Sequence, residues 1–347
     1  MRKLAPLCAF LGVAACSAAG NPSGGDDTPP GDDDDVTPPD DPPPPPKRVK
    51  FIAMGDTGKG NTSQRQVAVA IRDLCAARGC DFVLLLGDNI YDAGVDSVTD
   101  SQWQTKFEEP YHDIDLPFYV ALGNHDNGGR LIIDAPGIGN EFDKGQIEVD
   151  YTAVSTKWTM PSSHYTFSFA HVGIVVLDTN ALLWENVDYG DQTQWMPQAM
   201  MEVSGKDWVL FAGHHPYRSN GSHGNAGDYD APELAGIPIS NPLPIQNGEA
   251  LKDWFDGHAC GLADVYFSGH DHSRQWIDEP TALCGTKMIV SGAGASTTEI
   301  RDRGNTALFE DASKAGFMYV DIDGDKFTGE FHDATGALDF THTFTKQ

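Results

Sequence analysis

Seven short apolar runs punctuate the chain: Val49–Met54, Phe82–Leu86, Phe118–Leu122, Ile174–Leu177, Val209–Ala212, Val265–Phe267 and Met288–Val290. They are apolar throughout rather than alternating, as strands buried on both faces should be. Five of them lead into glycine followed by metal-ligand residue types. These are Gly55-Asp56-Thr57-Gly58, Gly87-Asp88-Asn89-Ile90-Tyr91, Gly123-Asn124-His125-Asp126, Gly213-His214-His215-Pro216 and Gly269-His270-Asp271-His272. Glycine lets the backbone turn sharply where a strand ends. In open α/β sheets the loops at the carboxyl ends of the strands line the binding crevice. One such cluster is an ordinary turn. Five, all at strand ends, point to a shared site. Carboxylates, an amide oxygen and imidazoles together suit iron, zinc or manganese and suit calcium poorly.

Helical patterns lie between several strands. Thr62 or Ser63 is placed to cap a helix carrying Val67, Ile71 and Leu74. Asp191 to Val203 and Glu249 to Phe255 are further helix candidates. His164–Ala170 with Val172–Asp178 reads as a hairpin, and Phe317–Asp321, Lys326–His332 and Phe340–Phe344 as a terminal antiparallel meander. Strands alternating with helices, plus hairpins, predict a mixed α/β sandwich.

The set GD…GDN-x-Y…GNHD…GHH…GHDH resembles the metallophosphoesterase superfamily. Most of that superfamily opens with Asp-x-His, whereas this chain has Gly58 in the His place and Tyr91 three residues after Asp88. That exchange resembles the purple acid phosphatases, in particular the short branch of tartrate-resistant acid phosphatases. Trp158-Thr159-Met160-Pro161, Leu177-Asp178-Thr179 and Ser291-Gly292-Ala293-Gly294 agree with it, and the resemblance spans nearly all of residues 48–346.

The resemblance implies a four-layer α/β/β/α sandwich of two mixed sheets flanked by helices. It implies one metal on Asp56, Tyr91 and His272, a second on Asn124, His214 and His270, and Asp88 bridging both. The Tyr-bound metal would be Fe(III), because phenolate is a hard anionic ligand. The partner would be divalent iron, zinc or manganese. His125 and His223 match two histidines that contact substrate and serve as catalytic residues. The implied function is an acid phosphatase acting on phosphate monoesters by metal-activated hydroxide. A phosphodiesterase or nucleotidase on the same site is the alternative. A surface metal- or phosphate-binding protein is the non-enzymatic one, against which the presence of both His125 and His223 argues. His112, His164, His171 and His215 read as ordinary histidines. Thr57, Lys59, His215 and the long stretch Asn225 to Gln246 depart from the family pattern and leave substrate preference open.

The first residues read as an export signal. Met1-Arg2-Lys3 is basic, Leu4 to Ala15 is a short apolar run, and Val13-Ala14-Ala15-Cys16 resembles a bacterial lipobox with Cys16 as the lipidated residue. Residues 1–16 are thus expected to be a lipoprotein-type signal and 47–347 the catalytic domain. Residues 17–46 are expected to be an extended Pro/Asp linker. Export puts Cys75, Cys80, Cys260 and Cys284 in a compartment where disulfides form. Local spacing suggests Cys75–Cys80 and Cys260–Cys284, although four cysteines allow three pairings. The chain carries 23 Lys and Arg against 51 Asp and Glu, a net charge of −28, which argues against nucleic-acid binding through a basic surface. The expected partners are small phosphate esters, with a membrane reached only through the lipid anchor and no protein partner. The expected location is extracytoplasmic.

Overall fold

The computed structural model describes residues 47–130, 134–184, 192–230 and 246–346, with the backbone of 233–234 and 237–238. The expected signal, Cys16 and the linker lie outside the described residues. In chain order the elements begin with β1 (Arg48–Met54), α1 (Thr62–Arg78), β2 (Phe82–Leu86) and β3 (Phe118–Ala121), with a π-helical turn at Gln104–Glu108. Then come α2 (Phe142–Tyr151), β4 (Trp158–Thr159), β5 (Tyr165–Phe169), β6 (Val172–Val176), α3 (Thr179–Leu183), α4 (Gln192–Glu202) and β7 (Trp208–Ala212). Two small ribbons follow, β8 (Gly224–Asn225) with β9 (Asp228–Tyr229) and β10 (Glu233–Leu234) with β11 (Ile237–Pro238). The rest is α5 (Glu249–His258), β12 (Val265–Ser268), β13 (Arg274–Ile277), β14 (Lys287–Ser291), β15 (Ala307–Asp311), β16 (Gly316–Asp323), β17 (Lys326–Asp333) and β18 (Leu338–Thr345).

Two seven-stranded mixed sheets result. The first runs β18-β17-β16-β1-β2-β3-β4 and the second β15-β13-β14-β12-β7-β6-β5. Within the first, β1 to β4 are parallel and β16 to β18 antiparallel. Within the second, β6, β7, β12 and β14 are parallel. The sheets pack through aromatic rings: Phe51 of β1 meets Phe267 of β12 at 5.8 Å and Phe82 of β2 meets Phe167 of β5 at 5.5 Å, both edge to face. Burying each such ring contributes about 1.5–3 kcal/mol. Helices α4 and α5 cover the outer face of the second sheet, with Met196, Ala199, Leu251 and Phe255 in one apolar cluster with Phe211 and Tyr266.

The expected helix after the first loop forms, but Asn61 caps it rather than Thr62 or Ser63. Its side chain accepts the N–H of Gln64 at 2.9 Å. The Cys75–Cys80 disulfide, Cα to Cα 5.1 Å, links the end of α1 to the lead-in of β2. Cys260–Cys284, at 5.2 Å, links the end of α5 to the approach to β14. Of the stretch from Asn225 to Gln246, the described part begins with the β8–β9 ribbon. No helix among the described residues is long and apolar enough to cross a membrane.

Candidate metal centre

Because β1, β2, β3, β7 and β12 end on one side of the sandwich, their five loops converge. Backbone bonds knit them: Asp56 N–H donates to Gly87 O at 2.9 Å, Gly55 N–H to Ser291 O at 2.7 Å and Gly269 N–H to His214 O at 2.9 Å. Close approach explains two glycines. A Cβ on Gly87 would lie 2.6 Å from the His214 ring, and one on Gly123 would lie 2.3 Å from Asp88 Oδ1. Three of the converging residues, Asp56, Asp88 and His270, hold positive φ of 59°, 54° and 69°. Such backbone costs about 1–3 kcal/mol at a non-glycine residue and persists where the surroundings impose it.

The seven residues proposed as ligands fall into two clusters. In the first, the Tyr91 hydroxyl lies 2.9 Å from Asp56 Oδ1, from Asp88 Oδ2 and from His272 Nε2. In the second, Asn124 Oδ1 lies 2.9 Å from His214 Nε2 and 3.0 Å from His270 Nδ1. Asp88 stands between them, its Oδ1 being 3.4 Å from His214 Nε2. The far nitrogens are committed elsewhere: His214 Nδ1 donates to Leu86 O at 2.8 Å, and His272 Nδ1 lies 3.0 Å from Ser296 Oγ. This is the usual way a metal-binding imidazole is oriented.

Proton counting tests whether these groups fit cations. A phenol has one proton, yet two carboxylate oxygens face the Tyr91 oxygen, with the His272 ring nitrogen beside them. Without a cation, burial and the Asp56 and Asp88 carboxylates push the phenol well above its ordinary range. At His214 burial opposes the charged ring, but Asp88 and Asp56 raise it to about 9. Both groups are short of positive charge, and two cations would supply it. The donor set therefore fits a dinuclear centre.

His125 and His223 line a cavity of about 480 Å³ that opens over the second cluster, together with Asn124, His215, Tyr229, His270 and Arg301. His125 Nδ1 donates to Asp92 O at 2.5 Å, and its ring lies 4.4 Å from that of Tyr91. His223 is held by Asp271, whose Oδ1 lies 2.9 Å from Nδ1. Burial opposes the charged imidazole, but Asp271 raises His223 above its ordinary value.

Three residues given no role from the sequence belong here. Asp271 fixes His223. Buried Asp126 accepts the N–H groups of Asn89 at 2.7 Å, Ile90 at 3.0 Å and Gly123 at 2.8 Å, so one carboxylate ties the second loop to the third. His215, read as an ordinary histidine, is buried at the cavity wall with its ring 4.5 Å from that of His270. Position within the clusters was the available signal for Asp126 and Asp271.

Comparison with known proteins agrees with this geometry. Residues 49–274 match the calcineurin-like phosphoesterase family. Tartrate-resistant acid phosphatase type 5 of Oryctolagus cuniculus is 28% identical over 329 residues, covering 83% of this chain and 88% of that protein. Purple acid phosphatase 4 of Arabidopsis thaliana is 27% identical over 301 residues, covering 83% and 81%. Among solved structures, a purple acid phosphatase from yellow lupin seeds superposes with a TM-score of 0.63 at 16% identity, covering 87% of this chain and 54% of that one. GAP50, the anchor in the inner membrane complex of Plasmodium, superposes at 0.61 and 18% identity, covering 86% and 89%. Both structures share the fold.

Proposed function

This chain belongs to the calcineurin-like phosphoesterase family, and on that premise we propose that it is a dinuclear acid phosphatase of the purple type, hydrolysing phosphate monoesters. The observation that carries the reading is the Tyr91 oxygen at 2.9 Å from two carboxylate oxygens and an imidazole nitrogen. Tyr91, Asp56 and His272 would hold Fe(III). Asn124, His214 and His270 would hold divalent iron, zinc or manganese, and Asp88 would reach both. When bound, such a pair neutralises an anionic ester and makes hydroxide available at acidic pH.

The chain's own residues supply the rest. His125 and His223 each commit Nδ1 to the protein, which leaves Nε2 as the nitrogen free for substrate, and both residues line the cavity. In this reading they bind phosphoryl oxygens, and His223, whose charged form Asp271 favours, protonates the leaving alkoxide. No protein nucleophile is required.

The test is the visible spectrum of the purified protein beside Tyr91→Phe, followed by assays with p-nitrophenyl phosphate and bis(p-nitrophenyl) phosphate. A purple band lost in Tyr91→Phe, with faster monoester turnover at acidic pH, is expected. A colourless metalloenzyme would sink the ferric assignment, and preference for the diester would sink the monoester one.

Two disulfides support an extracytoplasmic setting. We further propose that Cys16 carries a lipid anchor. Labelling with radioactive palmitate should mark the wild type and not Cys16→Ala, and an unlabelled wild type would exclude the anchor.

A further inference from the structure

One ring nitrogen each from His214, His215 and His270 lie within 4.8 Å of one another. Geometry alone would admit His215 as a third imidazole ligand of the second cluster. Hydrogen-bond accounting decides otherwise.

The deciding group is the hydroxyl of Thr179, the first residue of α3, set in place because Asp178 caps that helix by accepting the N–H of Ala181 at 2.9 Å. Thr179 Oγ1 accepts the backbone N–H of His214 and that of His215, each at 3.1 Å. A hydroxyl has two lone pairs and one proton. With both lone pairs occupied, the proton goes to His215 Nδ1, 2.9 Å away. Neutral His215 therefore carries its own proton on Nε2. Binding a metal through Nε2 would move that proton to Nδ1. There it would face an oxygen already accepting twice, and the Thr179 proton would lose its acceptor in a buried place.

We infer that His215 is a substrate-binding residue, a fixed N–H donor to a phosphoryl oxygen, and not a metal ligand. Nε2 has no hydrogen-bond partner in the protein among the described residues, and the side chain lines the cavity beside Asn180, His223 and His270. Its ring lies 4.5 Å from that of His270 and 4.9 Å from that of His214. The ring is thus set at the edge of the Asn124, His214 and His270 cluster, in the wall of the cavity. The unprotonated phosphoryl oxygens of a monoester accept and share negative charge, so a donor fixed in one tautomer is complementary to them. This inference rests on the phosphatase reading.

The experiment uses the full-length, metal-loaded enzyme and the variants His215→Phe and His215→Gln. The readouts are inhibition by inorganic phosphate, KM and kcat for p-nitrophenyl phosphate, and metal per chain. His215→Phe should weaken phosphate binding about ten-fold or more with both metals retained. His215→Gln, which keeps an N–H at similar reach, should recover most of the loss. Departure of one metal from the Phe variant would make His215 a ligand and overturn the inference. Unchanged phosphate inhibition in a folded Phe variant would overturn it too. If the Phe variant does not fold, 15N NMR of labelled histidine in the zinc-loaded wild type reads the tautomer directly, and a proton on Nδ1 of His215 would overturn it. A wild type with neither metal nor turnover would instead fail the phosphatase reading, and that failure is visible before any variant is made.

Discussion

Asp271 grips His223 through a single oxygen: Oδ1 accepts the backbone N–H at 2.7 Å and faces the ring Nδ1 at 2.9 Å. The other oxygen accepts the Ser219 hydroxyl at 2.5 Å. The carboxylate therefore both aims the ring and favours its charged form. Asp271→Asn should lower kcat about ten- to hundred-fold. It should also move the basic limb of the pH–rate profile to lower pH, because the imidazolium loses its stabilising anion. A profile that does not move would remove His223 as the general acid.

Removing metal should destabilise the protein. Chelation would leave the Asp56 and Asp88 carboxylates facing each other's neighbours with no cation between them. A ligand present at a hundred times its Kd adds about 2.7 kcal/mol to the folded state. Thermal melts before and after chelation should differ, and zinc or iron should restore the higher midpoint. Identical melts, with metal loss verified by elemental analysis, would uncouple the centre from folding.

Gly123→Ala should cost metal as well as stability. Its Cβ would lie 2.4 Å from Asp88 N and closer still to the Asp88 carboxylate, so Asp88 must shift, at about 1–3 kcal/mol. Gly257→Ala is the counterpart. That exposed glycine in α5 has nothing within 4 Å of a built Cβ, and alanine there should add about 0.5–1 kcal/mol. Urea midpoints and metal analysis of both variants check the pair.

Acid should weaken the anchorage of β17, one strand in from the edge of the first sheet. Glu330 on β17 accepts two bonds from Arg78, at 2.5 and 3.0 Å, and lies 3.0 Å from His332 Nε2. Burial pushes its carboxyl up, but Arg78 and His332 more than offset that and hold it below the ordinary 4.5. A carboxyl lowered by folding stabilises above its unfolded pKa and loses that contribution as pH falls below about 4.5 toward the folded value. Arg78→Met should therefore flatten the fall in stability as pH drops below about 4.5. Equal slopes in wild type and variant would contradict this.

The parallel strands were legible because burial on both faces leaves unbroken apolar runs, and each run ends where ligands are needed. β13 was not legible. Its Arg274 is fully buried, held by Asp311 at 2.6 Å and Asp339 at 2.8 Å from two other strands, so local sequence shows a charge where the sheet has a core position. The cap at Asn61 was missed because Asn61, Thr62 and Ser63 can all cap, and only the backbone selects among them. The contact of His215 with Thr179, thirty-six residues away, is a tertiary one that local sequence does not show. The residues that the structure gathers into two clusters were named through a resemblance before any distance was available.

Each cluster draws on both sheets: Asp56, Tyr91 and Asn124 come from loops of the first, and His214, His270 and His272 from loops of the second. Neither sheet alone presents a complete coordination set. Metal capture would then be a late event in maturation, possible only after the two halves of the sandwich have closed, and bound ions would act as rivets across the seam. In stopped-flow refolding, the rise of the iron–phenolate colour should lag the far-ultraviolet signal of the sheets. Colour that precedes it would show that one half can hold an ion by itself.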